Sequence, residues 1–208
     1  MRKFLSGLFL LASLLFFSCE DDDFMPAYTQ DLAELFTDAH GNARKLSFDD
    51  GREMNVVNSM GNLAPDSIYR IRVMYIPVEN GAQIQAAQSV VSPFPVDIGS
   101  DLMQTDPVEL KSWWGSPRYI NIFLGVKTGG GSQMIAFRDC GIKELPSGVK
   151  KMTVSLFHDQ IDDPSYYTQE VYLSCPTYHL HDKLEHGRDS VEMIIHTFKG
   201  IRKKSFLY

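Results

Sequence analysis

Apolar and polar residues alternate along this chain in short runs broken by turn residues, the period-2 signature of half-buried strands. The clearest run places Tyr69, Ile71, Val73 and Tyr75 on one face and Arg70 and Arg72 on the other. Ala43 to Phe48, the tight turn Asp49-Asp50-Gly51 and a return at Met54 to Val57 predict a hairpin. Pro65 and Pro77 bound the next strand, because proline interrupts a ladder. Two pieces carry either reading: Leu32, Leu35 and Phe36 have the spacing of a helical face, and Ile84 to Val91 is rich in Ala and Gln. About five strands are expected between Thr29 and Val96.

The stretch from Ser92 to Thr105, with Ser92-Pro93-Phe94-Pro95 and Asp97-Ile98-Gly99-Ser100, has the composition of a connection and marks a domain boundary. Beyond it, Val108 and Leu110 share a face of a short strand, and Ile120, Ile122, Leu124 and Val126 form an aliphatic face opposite Tyr119, Asn121 and Phe123. Gly129-Gly130-Gly131-Ser132 predicts a hairpin loop leading into Met134 to Arg138. Further short strands are expected at Met152 to His158, Thr168 to Cys175, Val191 to Phe198 and Lys204 to Tyr208. Six or seven strands at this spacing, roughly one per 8–12 residues, predict a β-sandwich. No internal repeat of fixed period occurs.

A different pattern opens the chain. Arg2 and Lys3 precede an apolar run from Phe4 to Phe17, which ends at Ser18-Cys19 and the acids Glu20-Asp21-Asp22-Asp23. The run is shorter than the roughly 20 residues of a spanning helix, and its order is that of an exported leader. A small residue followed by cysteine points to a lipoprotein signal, with Cys19 as the acylated first residue of the mature chain; the alternatives are a transmembrane anchor and an unmodified thiol. Phe16 departs from the smaller aliphatic residue usual three positions before that cysteine. Residues 19–28 read as an acidic tether.

Over 208 residues the formal charge is −6; without Arg2 and Lys3 it is −8, a balance that argues against nucleic acid as partner. The basic tail Lys199, Arg202, Lys203 and Lys204 is the local exception: it could face an anionic partner, and the commoner reading is that it solvates or blunts an edge strand. Beyond Cys19, Cys140 and Cys175 could pair in an oxidising compartment or stand as two buried small hydrophobes.

The order of segments resembles the NigD-like lipoproteins of anaerobic Gram-negative bacteria. The resemblance is carried by Ser18-Cys19-Glu20-Asp21-Asp22-Asp23, Leu46-Ser47-Phe48-Asp49-Asp50-Gly51, Val56-Val57-Asn58-Ser59 and Tyr69-Arg70-Ile71-Arg72-Val73-Met74-Tyr75. In the second half Asp106-Pro107-Val108, Trp113 and Tyr119-Ile120-Asn121-Ile122 carry it. It implies an all-β chain with an N-terminal OB-like small barrel at residues 29–96 and a C-terminal Ig-like β-sandwich at residues 97–208, after a signal peptide at residues 1–18. It also implies export to the outer membrane, at the cell surface or the periplasmic face, and an association with bacteriocin loci.

Candidate chemistry is sparse. His179 and His181, flanking Leu180 on an expected strand, with His186 nearby, suggest a metal site without a defined third ligand; surface histidines are the commoner reading. Asp159, Asp162 and Asp163 match no calcium loop and suit a turn. The triple glycine lacks the Lys-Ser/Thr of a phosphate cradle, and no Gly-x-Ser-x-Gly elbow occurs. No catalytic residue, metal ligand or cofactor is assigned. Adjacent residues on a strand face opposite ways, so Trp113 is expected in the core and Trp114 exposed, where it could stack on a sugar or a partner protein. The expectation is a non-enzymatic, membrane-anchored binding or accessory module with a protein or glycan partner; the alternative is a structural, fimbrial-type component.

Overall fold

The computed structural model describes residues 27–208; the leader and Cys19 lie outside the described residues. The first five strands are β1 (Thr29–Thr37), β2 (Ala43–Phe48), β3 (Glu53–Asn55), β4 (Ile68–Val78) and β5 (Gly81–Ser89). They form one sheet in the order β3-β2-β1-β4-β5 with antiparallel neighbours. A parallel bridge from Val56 to Ala82 brings the last strand back beside the first edge and closes a small barrel. Closure demands a residue without a side chain at Gly81, whose φ is +149° and where a Cβ would lie 2.1 Å from the Asn55 carbonyl oxygen. Leu35, Leu46, Ile71, Val73, Tyr75 and Ala82 fill the interior.

Both ambiguous segments are strands. In β1 the consecutive residues Leu32, Ala33, Glu34 and Leu35 are all buried, because one face lines the barrel and the other meets the second half of the chain. Burial on both faces erases the alternation, and Leu32, Leu35 and Phe36 then mimic helical spacing. In β5, Ala82 and Ile84 enter the core while Gln85 to Ser89 are exposed. Pro77 does not stop β4, which runs one residue further.

The second half contains β6 (Glu109–Gly115), β7 (Tyr119–Thr128), β8 (Met134–Glu144), β9 (Lys150–Asp159), β10 (Tyr167–Pro176), β11 (Ser190–Thr197) and β12 (Gly200–Leu207). A three-stranded sheet, β10-β7-β6, packs on a four-stranded one, β12-β11-β9-β8, in which β9 and β11 run parallel. Ile122, Leu124, Phe137, Met152, Leu173, Met193 and Ile195 interdigitate between them. The chain is therefore all-β, a five-stranded barrel followed by a sandwich.

Three local expectations change. Gly129-Gly130-Gly131-Ser132 is not a hairpin loop: β7 belongs to one sheet and β8 to the other, so the segment crosses between layers. The crossing is held by Asp163, whose carboxylate accepts from the Thr128 hydroxyl at 2.5 Å, the Gly129 and Gly131 amides at 3.0 and 2.9 Å, and the Gln133 amide at 2.7 Å. The strands are also longer than the turn residues suggest. Cys140-Gly141 interrupts the pattern yet lies inside β8 as a bulge, with the register to β9 shifting between Asp139 and Ile142 and Gly141 at φ +89°. Third, the Ser92 to Thr105 connection is tied down at both edges of the sandwich, with Val91 bridging Leu173 and Val96 bridging Arg138.

Candidate functional site

The barrel packs its outer face on the outer face of the three-stranded sheet, and the alternation along each strand decides which side chains meet. On β4, Ile71, Val73 and Tyr75 point into the barrel, so Arg70 and Arg72 point at the sandwich. On β7, the face opposite Ile120, Ile122 and Leu124 offers Tyr119, Asn121 and Phe123.

The two surfaces close at one end and separate toward the other. At the closed end Glu34 Oε1 accepts from the Tyr119 hydroxyl at 2.5 Å and from Arg118 Nε at 3.1 Å. Burial, with the Glu34 carboxylate beside it, pushes the Tyr119 phenol well above its ordinary pKa. Next, buried Arg70 donates to Asp49 at 2.7 Å, to Asn121 at 3.0 Å and to Ser174 at 3.1 Å. Asn121 donates to the same Asp49 oxygen at 2.7 Å and accepts from Ser174 at 2.7 Å. One Arg70 nitrogen, Nη1, is buried with no partner among the described residues.

Two residues further along β4 the contact opens. The Arg72 guanidinium lies 4.9 Å from the Tyr172 ring centroid, and Tyr172 also stacks on Phe123 at 4.4 Å. Beside Arg72 is a cleft of about 310 Å³, walled by Asp31, Phe48, Asp50 and Arg52 of the barrel and by Trp114 and Tyr172 of the sandwich. Its acids are already engaged: Asp50 and Asp31 pair with Arg52 at 2.5 and 3.2 Å, and Asp49 pairs with Arg70. Among the described residues no hydrogen bond or ion pair engages the Arg72 guanidinium, so the cleft combines one uncommitted cation with aromatic faces.

The singled-out residues scatter around this cleft. Trp114, 37% exposed, is on its wall, while Trp113 is half-buried against the sandwich core, edge-on to Phe206 at 6.0 Å. Cys140 is exposed on β8 and Cys175 is buried on β10, in different sheets, and among the described residues both are free thiols, so the pairing of the two raised by the sequence is not made. Burial pushes the thiol pKa of each upward. His179 and His181 are not on a strand: a 3₁₀ turn spans Tyr178–Leu180. His179 packs edge-on to Phe94 at 5.1 Å, and His186 stacks on Tyr208 at 4.1 Å. Among the described residues no group of three or more His, Cys, Asp or Glu is placed to hold a metal ion. Asp163 serves the layer crossing described above, and Asp159 caps the turn at Ile161.

Arg70, Arg72 and Asp49 were not legible as a site in the sequence. The available signal was two arginines alternating with aliphatic residues on one strand and a single Asn121 within an aliphatic one.

No family model matches the chain, and no curated protein matches it in sequence. Several solved structures share its fold. A NigD-like immunity protein from Bacteroides caccae superposes with a TM-score of 0.70 at 21% identity, covering 88% of this chain and 98% of that one. A protein of unknown function from Bacteroides vulgatus gives 0.68 at 15% identity, over 88% and 91% of the two chains. A candidate lipoprotein of Bacteroides fragilis gives 0.61 at 9% identity, over 87% and 97%. The barrel, the sandwich and their order along the chain are thus the fold of the NigD-like immunity protein, in agreement with the resemblance carried by the sequence.

Proposed function

We propose that this chain is a non-enzymatic, lipid-anchored binding module of the cell envelope, and that the cleft between barrel and sandwich is its ligand site. The observation carrying the reading is Arg72, held on the Tyr172 ring with no carboxylate partner among the described residues, beside the exposed Trp114. A planar guanidinium next to an aromatic face suits a ligand that joins a carboxylate to a ring with an apolar C–H face, such as a uronate-bearing glycan. The anchor is Cys19, in the outer membrane, and the likeness to an immunity protein supports an accessory role near bacteriocin loci rather than a reaction.

Fluorescence of a Trp113→Phe chain isolates Trp114 for a direct test. Oligogalacturonate is expected to change its emission, maltoheptaose to leave it unchanged, and Arg72→Gln to abolish the response. An equal response to both sugars, or none to either, overturns the ligand assignment.

A specific feature favours one second reading, a structural component of an outer-membrane assembly: Gln85 to Ser89 of β5 are exposed, carry no charge or proline, and pair on one side only with β4. Sedimentation separates the two, since an assembly subunit self-associates and a binding module stays monomeric.

A further inference from the structure

The strand registers fix at which end of the molecule β1 begins. Glu34 of β1 contacts Tyr119, and Arg72, paired with Leu32 of β1, lies over Tyr172, which pairs with Phe123. Moving from Glu34 back to Leu32 therefore runs along β7 from Tyr119 toward Thr128, and Thr29 lies further the same way. At that end Tyr167 pairs with Thr128, and Phe198 donates its amide to Val108 just before β6 begins at Glu109, opposite Gly125.

The same end collects exposed amphipathic and apolar side chains. Tyr28 is 53% exposed, Tyr166 81%, Tyr167 51%, Phe198 56% and Ile201 57%. Lys199, Arg202 and Lys203 surround the last two on the β11–β12 hairpin. At the opposite end Tyr119 and Tyr208 are buried, and Phe94, although 46% exposed, lies edge-on to Tyr178 at 5.6 Å. Tyrosines and a phenylalanine flanked by long basic side chains are the composition that settles in the headgroup zone of a bilayer, where ring and aliphatic stem meet the acyl boundary and the polar tip stays wet.

We propose that this end, through Tyr28, Tyr166, Tyr167, Phe198 and Ile201, rests on the surface of the bilayer that carries the Cys19 lipid. The inference rests on the anchor proposed above and goes beyond it: the protein stands on its membrane in one orientation, with β1 directed away from the surface. An anchor of more than one acyl chain already holds the protein on the membrane, so a weak second contact at this end fixes orientation rather than affinity.

Hydroxyl-radical oxidation of the full lipidated chain, floated on vesicles of phosphatidylethanolamine and phosphatidylglycerol, tests it. Tyr166, Tyr167 and Phe198 are expected to oxidise several-fold less than Phe94 and Leu207, which are also exposed. In a chain carrying Tyr166→Asp and Phe198→Asp, protection of Tyr28 and Ile201 is expected to be lost. Oxidation of Tyr166 and Phe198 in proportion to their exposure, on a chain that does float, overturns the orientation alone. A chain that fails to float with the vesicles removes the anchor, and the inference falls with it.

Discussion

The guanidinium of Arg70, on the barrel, lies 4.1 Å from the ring centroid of Tyr119, on the central strand of the sandwich sheet that faces it. The same side chain reaches Asp49, Asn121 and Ser174, so one buried cation ties a hairpin of the barrel to two strands of the sandwich. Removing it leaves the Asp49 carboxylate with only Asn121 as a partner across the interface. Arg70→Ala is expected to cost about 3–5 kcal/mol, the usual penalty for breaking a buried pair. Urea unfolding checks the loss, and the variant is expected to melt in two calorimetric steps where the parent melts in one.

Asp163 provides a pH signature. Hydrogen bonds from Thr128 and Gln133, then from the Gly129 and Gly131 amides, hold its pKa down at about 2. The unfolded carboxyl titrates near ~3.9, so this contribution is complete above that value and is lost as pH falls toward 2. Asp163→Asn is expected to lower stability at neutral pH and to flatten the stability profile between the two values, as read by thermal melts across that range.

Barrel closure hangs on Gly81. Any side chain there meets the Asn55 carbonyl at a backbone angle that L-residues avoid. Gly81→Ala is expected to destabilise the chain by about 1–3 kcal/mol. Hydrogen exchange is expected to locate the loosening at the amide of Val57, which bonds to Ala82 across the closure.

The adjacent tryptophans are expected to behave oppositely. Trp113→Ala removes a ring packed on Phe206 and costs about 3 kcal/mol. Trp114→Ala stays within about 0.5 kcal/mol, because its ring faces the cleft. Denaturant titration of the two variants gives the comparison.

Thiol labelling separates the cysteines beyond Cys19. Cys140 is expected to react in the folded protein, slowly at neutral pH because its thiolate is disfavoured, and Cys175 only after unfolding. Simultaneous loss of both thiols in the native chain would contradict this.

Alternation made the strands of both halves legible in the sequence, along with the Asp49-Asp50-Gly51 hairpin and the inward side of Tyr69 to Tyr75. Local periodicity records which residues share a face, and that suffices where one face is wet. It failed at β1 and at the layer crossing after Thr128, since neither carries a local signal of its partner. What Arg70 and Arg72 face was decided only in three dimensions. Their side of β4 reads as solvent in the sequence and is the contact with a sheet formed about 50 and 100 residues later, as the Arg70 bonds to Asn121 and Ser174 record. The sequence alone determined the all-β character, because alternation depends on neighbours along the chain, and the expectation of a leader ending at Cys19 rests on the same kind of local pattern. The cleft around Arg72 and the gathering of Tyr28, Tyr166 and Tyr167 at one end arise from packing between distant strands, which no local pattern encodes.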